Sequence, residues 1–64
     1  MTHFYVYANE PEGPKMASDP FGTLGGAESK AWELSQRNPQ GTFDVVPHDE
    51  WRTVARFQNG IQVF

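Results

Sequence analysis

The sequence contains no cysteine among its 64 residues. Disulfide bonds and thiolate metal sites are therefore excluded as a means of stabilising the fold. A chain of this length leaves room for one domain, so we expect residues 1–64 to form a single unit. It must be stabilised by apolar packing alone or by pairing with a second copy of itself. The lack of cysteine also fits a reducing compartment, and we expect a cytoplasmic protein.

Long apolar runs are missing as well. No stretch of the chain approaches the roughly 20 apolar residues that span a membrane. The N-terminal residues also lack the basic region and the apolar stretch of a signal peptide. We therefore expect a soluble protein that does not bind a membrane.

Basic residues are fewer than acidic ones, five against eight, which gives a formal net charge of -3. This balance provides no electrostatic reason to bind DNA or RNA, so nucleic acid is not an expected partner. The basic residues are unevenly placed, however. Beyond Glu50 the chain has no acidic residue while Arg52 and Arg56 remain, so its C-terminal end is locally basic.

Side chains for catalysis are scarce. A nucleophile needs an adjacent base, and the only histidines are His3 and His48. None of the serines lies in a Gly-x-Ser-x-Gly motif. The glycines between Gly22 and Gly26 lack the spacing of a phosphate-binding loop. We therefore predict that the protein is not an enzyme and has no cofactor.

Three adjacent residues, His48, Asp49 and Glu50, are of types that bind metal ions. Consecutive side chains rarely point toward one ion, and the stretch lacks the two histidines, spaced i and i+4, of a metalloprotease helix. Acidic residues often cap turns and helices. We therefore interpret this stretch as a solvated turn and predict no metal site.

One segment, Thr23–Arg37, has the spacing of an amphipathic helix. Its apolar residues fall at i, i+3, i+7 and i+10, which places them on one face. These residues are Leu24, Ala27, Ala31 and Leu34. Thr23 can cap the start of the helix, and Pro39 with Gly41 ends it. Trp32 lies outside this stripe, so we expect it at the edge of the core or on the surface.

The segment Thr2–Ala8 alternates in the way that predicts a strand. One face of this strand, suited to packing against the helix, carries Phe4, Val6 and Ala8. The other face, directed outward or toward a partner, carries His3, Tyr5 and Tyr7.

Two further strands are predicted on either side of the helix. Lys15–Ser18 is a candidate return strand that makes a hairpin with the first strand. Thr42–Val46 alternates, with Phe43 and Val45 inward and Asp44 outward. A strand, a helix and a strand in this order can lie side by side in parallel, in which case the crossover is right-handed.

The C-terminal stretch has two interpretations. As a helix, it would be capped by Asp49 and ended by Gly60. As a hairpin, Trp51–Phe57 alternates, Asn59 and Gly60 form the turn, and Ile61–Phe64 returns. We favour the hairpin, because alternation followed by Asn-Gly is the stronger short-range signal.

The length of this turn decides which residues pair. A two-residue loop would place Phe57 opposite Gln62. A three-residue loop would instead pair Phe57 with Ile61. It would also pair Ala55 with Val63, which gathers the apolar residues on one face. We therefore predict the three-residue loop.

Together these elements predict an α+β fold. One central helix packs on one face of a three- to four-stranded sheet. The order is a β-α-β unit followed by a C-terminal β-hairpin. The other face of the sheet is left for solvent or for a partner.

Aromatic residues are abundant for so small a chain, with two Trp, two Tyr and five Phe. A core of this size cannot enclose them all, and Tyr, Trp and Arg dominate the energetics of protein interfaces. The candidate partner-binding residues are therefore Tyr5, Tyr7, Trp32, Trp51, Arg52 and Arg56. The alternative is that the rings only complete the edges of a thin core.

These features favour a non-enzymatic protein-binding module. It would use the aromatic residues of the sheet or a free strand edge, with a homodimer as one form of the interaction. A short, acidic, cysteine-free domain is also similar in composition to small phage or mobile-element accessory proteins, some of which inhibit a host protein. We therefore expect a phage or mobile-element accessory protein that acts on a host protein.

The alternative function is binding of single-stranded nucleic acid. In that hypothesis Tyr5, Tyr7 and Trp51 stack on bases. Arg52 and Arg56 contact the phosphates. The net negative charge of the chain argues against it.

Overall fold

The first strand of the sheet, β1, spans Phe4–Glu10. The computed structural model describes residues 2–64. The other strands are β2, Gly13–Met16; β3, Thr42–Pro47; β4, Ala55–Gln58; and β5, Ile61–Gln62. The described residues form one sheet in the order β2-β1-β3-β4-β5, with helix α1, Leu24–Arg37, packed against it. The α+β class is confirmed, although the sheet has five strands where three to four were predicted.

Every pair of neighbouring strands is antiparallel. In particular β1 pairs antiparallel with β3, with Val6 opposite Val45, so the parallel arrangement that the strand-helix-strand order allows does not form between these two strands. The reason is the turn after Glu10, which reverses the chain into β2 as a complete strand before α1 begins. The helix therefore connects β2 to β3, which run parallel to each other with β1 between them.

Helix α1 begins and ends as the sequence predicts. Thr23 is the N-cap, and its Oγ1 accepts a 3.1 Å hydrogen bond from the backbone nitrogen of Gly26. Such a bond satisfies one of the amide groups that the first turn leaves without a partner. At the other end, Arg37 lies 3.0 Å from Glu33, one turn earlier, where its positive charge also suits the helix C-terminus.

The core lies between α1 and one face of the sheet. Ala27 and Ala31 are completely buried, and their small side chains let the helix axis approach the strands closely. From the sheet, the residues that close the core are Val6, Phe43, Val45, Ala55 and Phe57. The buried stripe of the helix continues to Ser35, whereas Leu24, predicted in the stripe, is 39% exposed at the first position of α1.

The C-terminal hairpin forms, but with the shorter loop. Phe57 lies opposite Gln62, so the predicted three-residue loop is wrong. Asn59 and Gly60 have φ angles of 53° and 75°, both in the left-handed region. A two-residue turn of this kind matches the twist of the flanking strands, and Asn-Gly is its preferred sequence. The apolar side chain of Ile61 is exposed as a result.

Strand β4 is also shorter than predicted. It begins at Ala55, so residues 51–54 are neither strand nor helix. This irregular segment lies between β3 and β4 and carries Trp51 and Arg52, two of the predicted partner-binding residues. Among residues 2–64, no helix has the length and the apolar character needed to cross a membrane.

Candidate functional site

The two faces of the sheet differ in what covers them. Helix α1 packs on the face that carries Val6 and Val45. Within residues 2–64 no helix packs on the opposite face, which we call the open face. The strand register places Tyr7 opposite Asp44, and Asp44 opposite Arg56, on this face. The open face therefore combines residues from β1, β3 and β4.

Three of the predicted aromatic residues meet on the open face. The rings of Tyr5 and Tyr7, two positions apart on β1, have centroids 6.2 Å apart. The rings of Tyr7 and Trp51 have centroids 5.4 Å apart and lie edge to face at 72°. Trp51 is nevertheless 75% exposed, so its contact with Tyr7 positions the indole without burying it.

The fourth aromatic residue, Trp32, lies apart from this group. It belongs to α1, on the covered side of the sheet, and its Nε1 donates a 2.9 Å hydrogen bond to the carbonyl oxygen of Gly60. The backbone nitrogen of Gly60 in turn donates to Ser35 Oγ at 2.9 Å. Trp32 therefore helps to attach the C-terminal turn to the helix, which accounts for its position outside the apolar stripe.

Asp44 is the centre of a polar network on the open face. Its carboxylate accepts two hydrogen bonds from Arg56, at 2.7 Å from Nε and 2.9 Å from Nη2. It also accepts hydrogen bonds from Thr53 Oγ1 at 2.9 Å and from Asn9 Nδ2 at 3.0 Å. The sequence predicts an outward direction for Asp44, and its side chain does lie on the open face, but these neighbours leave it only 7% exposed.

The network changes the acidity of this carboxyl group. Burial raises the pKa of Asp44, but the hydrogen bonds from Arg56, Thr53 and Asn9 and the positive charge of Arg56 lower it by more. The result is a pKa below the ordinary value of 3.8, so the carboxylate is ionised at neutral pH. The hydrogen bond to Asp44 and the negative charge of Asp44 raise the pKa of Arg56.

Both arginines of the predicted site are paired with carboxylates. Arg56 binds Asp44 in the two-point geometry that guanidinium and carboxylate groups favour. Arg52 forms an ion pair with Glu50 two residues earlier on the same loop. The locally basic C-terminal end that the sequence indicates is thus neutralised in the folded chain.

A groove runs between the aromatic rings and the polar network. We call it the Tyr7–Trp51 groove, and its volume is about 240 Å³. Val46, an apolar residue of β3, contributes to its lining, as does Pro14 of β2. Its other lining residues are Tyr7, Asn9, Asp44, Trp51, Arg52 and Thr53. The groove therefore joins the aromatic residues from the sequence prediction to side chains that the prediction does not include.

Two polar residues of the site are absent from the sequence prediction. Asn9 belongs to β1 and follows Tyr5 and Tyr7 at the same two-residue spacing, so the alternation of the strand could have placed it on the open face. Thr53 carries no such signal. It lies in the irregular segment, and only the folding of that segment toward β3 brings it to Asp44.

Histidine 48 extends the open face beyond Tyr5. The Tyr5 hydroxyl and His48 Nδ1 are 2.8 Å apart, within hydrogen-bond distance. The ring of His48 also lies edge to face with that of His3, at a centroid distance of 6.3 Å. In the part of the chain that the structure describes, no three His, Cys, Asp or Glu side chains come together in a way that could hold a metal ion.

The fold and the site define a two-layer α+β domain with one open sheet face and an aromatic groove on it. Comparison with protein-family models, with curated proteins and with solved structures gave no significant match.

Proposed function

We propose that the protein is a non-enzymatic binding module that contacts another protein through its open face. The observation that carries this proposal is the Tyr7–Trp51 ring pair, which stands at the edge of a groove with Trp51 75% exposed. Large rings that are positioned but left in contact with water are typical of interface hot spots, because a partner can bury them without first ordering them.

The charges around the groove support a protein partner over nucleic acid. Single-stranded nucleic acid is bound by stacking on aromatic rings and by free cations that contact the phosphates. Here Arg52 is paired with Glu50 and Arg56 with Asp44. The chain as a whole has a net charge of -3. The rings are available for stacking, but each arginine would have to leave a carboxylate to contact a phosphate.

The proposal also includes the cellular location and the biological role of the protein. The short, acidic and cysteine-free composition supports a cytoplasmic accessory protein of a phage or mobile element that acts on a host protein. A second copy of the chain is the other protein that could occupy the open face. Light scattering over a range of concentrations distinguishes a host protein from a second copy as the partner. If the wild type forms a homodimer and Trp51→Ala is a monomer, the partner is the second copy.

Affinity capture tests the proposal directly. The immobilised protein is exposed to a bacterial lysate beside two variants, Trp51→Ala on the open face and Trp32→Phe on the covered side. We expect a protein that the wild type and Trp32→Phe retain and that Trp51→Ala does not. Once this protein is purified, its addition should shift the NMR resonances of open-face residues. Binding that does not depend on Trp51, or no specific binding, would contradict the proposal.

A fluorescence titration tests nucleic acid as the ligand. Under the proposal, an oligothymidine strand at low salt leaves the tryptophan emission unchanged. Saturable quenching that weakens as salt is added would favour nucleic acid instead, because phosphate contacts release counterions.

A further inference from the structure

The Tyr7–Trp51 groove has a shape and a hydrogen-bonding capacity that limit what can enter it. We infer that it binds a proline-rich segment of the partner in the polyproline II conformation. This inference rests on the proposed function and names the chemistry of the partner segment. It is carried by three features of the groove, which are its dimensions, its free hydrogen-bond donors and its neutralised charges.

The dimensions favour a narrow, extended ligand. The groove, at about 240 Å³, is smaller than the ~300 Å³ at which small-molecule pockets usually begin. A β-strand adds to the edge of a sheet, whereas this groove lies on a face. A polyproline II segment presents flat rings every few residues and can lay one of them against the exposed ring of Trp51, beside Tyr7.

Two residues that line the groove carry hydrogen-bond donors without a partner among residues 2–64. The Tyr5 hydroxyl lies near His48 and the Trp32 indole is bonded to Gly60. By contrast, Tyr7 Oη and Trp51 Nε1 make no hydrogen bond with any of residues 2–64. The backbone of a polyproline II segment has no internal hydrogen bonds, so its carbonyl oxygens are free to accept from such donors. Aromatic residues that combine a flat face with a polar tip are suited to this arrangement.

The charges of the groove point to an uncharged ligand. Asp44 accepts four hydrogen bonds, which fills the capacity of a carboxylate and leaves none for a lysine or arginine of a partner. Arg52 is paired with Glu50. Because each charge that lines the groove is balanced by a neighbour, the groove is complementary to neutral rings and carbonyl groups.

The experiment is an NMR titration of the wild-type protein with a capped decaproline peptide. The control ligand is a capped Gly-Ser peptide of the same length. The two indole N–H signals provide an internal comparison, since Trp51 lines the groove and Trp32 lies across the sheet. We expect a saturable shift of the Trp51 signal with decaproline, a stationary Trp32 signal, and no saturable shift of either with the Gly-Ser peptide.

Variants separate the contribution of the ring from that of the donor. Trp51→Ala should weaken decaproline binding about tenfold or more, as expected for an interface hot spot. Tyr7→Phe keeps the ring and removes only the hydroxyl, so it should weaken binding about fivefold, the effect of one lost hydrogen bond. Trp32→Phe should bind as the wild type does. The fold of each variant is checked by its amide spectrum without peptide.

The outcomes distinguish this inference from the proposed function. If decaproline leaves the Trp51 signal in place, or shifts it no more than the Gly-Ser peptide does, the proline inference is overturned. The proposed function still stands in that case if a captured protein depends on Trp51. If capture does not depend on Trp51 either, both fail.

Discussion

A Cβ atom placed on Gly60 would lie only 3.0 Å from Cγ of Gln36, on the helix. Gly60 also has a φ angle of 75°, in the left-handed region that side chains disfavour. The C-terminal turn therefore lies so close to α1 that a side chain at position 60 would require Gln36 to shift. Gly60 also accepts a hydrogen bond from Trp32 and donates one to Ser35, both on α1. These bonds and the close contact attach the turn to the helix.

Replacing Gly60 by alanine should therefore destabilise the protein. The unfavourable φ angle and the contact with Gln36 should together lower the free energy of unfolding by about 1 to 2 kcal/mol. Gly25 is the matched control, because it lies in the first turn of α1 with no atom within 4 Å of a Cβ. Gly25→Ala should stabilise by about 0.4 to 1 kcal/mol. Urea denaturation measures the free energy of unfolding of both variants. If the two substitutions change it equally, the close contact at Gly60 does not limit the residue at that position.

Removing the hydroxyl of Ser35 should destabilise the protein more than the loss of a single small group would suggest. Ser35→Ala leaves the backbone N–H of Gly60 without its acceptor, which should lower the free energy of unfolding by about 1 to 3 kcal/mol. Ser29→Ala, on the exposed side of the same helix, should stay within about 0.5 kcal/mol of the wild type. Thermal denaturation followed by circular dichroism compares them. Similar melting temperatures for the two variants would argue that the turn is not held by Ser35.

Neutralising Asp44 should destabilise the open face. Asp44→Asn keeps the size of the side chain but replaces one acceptor oxygen with an NH2 group and removes the negative charge beside Arg56. With the NH2 group in place of Oδ2, Thr53 and Arg56 Nη2 lose their acceptor. We expect a loss of about 2 kcal/mol, or a melting temperature lower by roughly 10 °C. Asp19→Asn, in the exposed turn before α1, is the control and should change little. An unchanged melting temperature for Asp44→Asn would mean that the network adds nothing to stability.

The same carboxylate should make stability depend on pH in acid. The folded-state pKa of Asp44 lies below its ordinary value of 3.8, so folding favours the ionised form. Its contribution is therefore present above pH 3.8 and is lost as the pH falls through the folded-state value. The raised pKa of Arg56 adds no pH dependence in this range, because the guanidinium stays protonated.

Urea denaturation at several pH values measures this dependence. Other carboxyl groups titrate in the same range, so the informative quantity is the difference in unfolding free energy between the wild type and Asp44→Asn. We expect that difference to be constant near neutral pH and to shrink in acid. A difference that stays constant to low pH would show that Asp44 is not stabilised in its ionised form.

Much of the local structure follows from short-range patterns. The N-cap at Thr23, the helix to Arg37 and the alternation of the first strand all depend on neighbours within a few residues. The same alternation correctly separates Phe4, Val6 and Ala8 from Tyr5 and Tyr7. The alternation also predicts part of the candidate site, because Tyr5 and Tyr7 lie on the same face of the strand whichever strands it pairs with.

Patterns of this kind do not specify which strands become neighbours. The first strand and Thr42–Val46 do not pair in parallel, because β2 is a complete strand that reverses the chain before the helix. The sequence predicts a return strand at Lys15–Ser18 that makes a hairpin with the first strand, and this hairpin forms, but its strand β2 spans Gly13–Met16. Pro14 inside β2 weakens its strand signal. This segment forms a strand because its backbone pairs with β1, although its side chains do not favour a strand.

The amino-acid order specified the helix, the strand faces and the Asn-Gly turn, because each depends on interactions between residues close in the chain. Long-range packing selected the burial of Asp44 beside Arg56 and Thr53 and the attachment of Trp32 to Gly60. These contacts join residues from different elements, so their energies arise only when the sheet and the helix have assembled. The groove beside Tyr7 and Trp51 is a product of that assembly, since its walls come from β1, β2, β3 and the irregular segment.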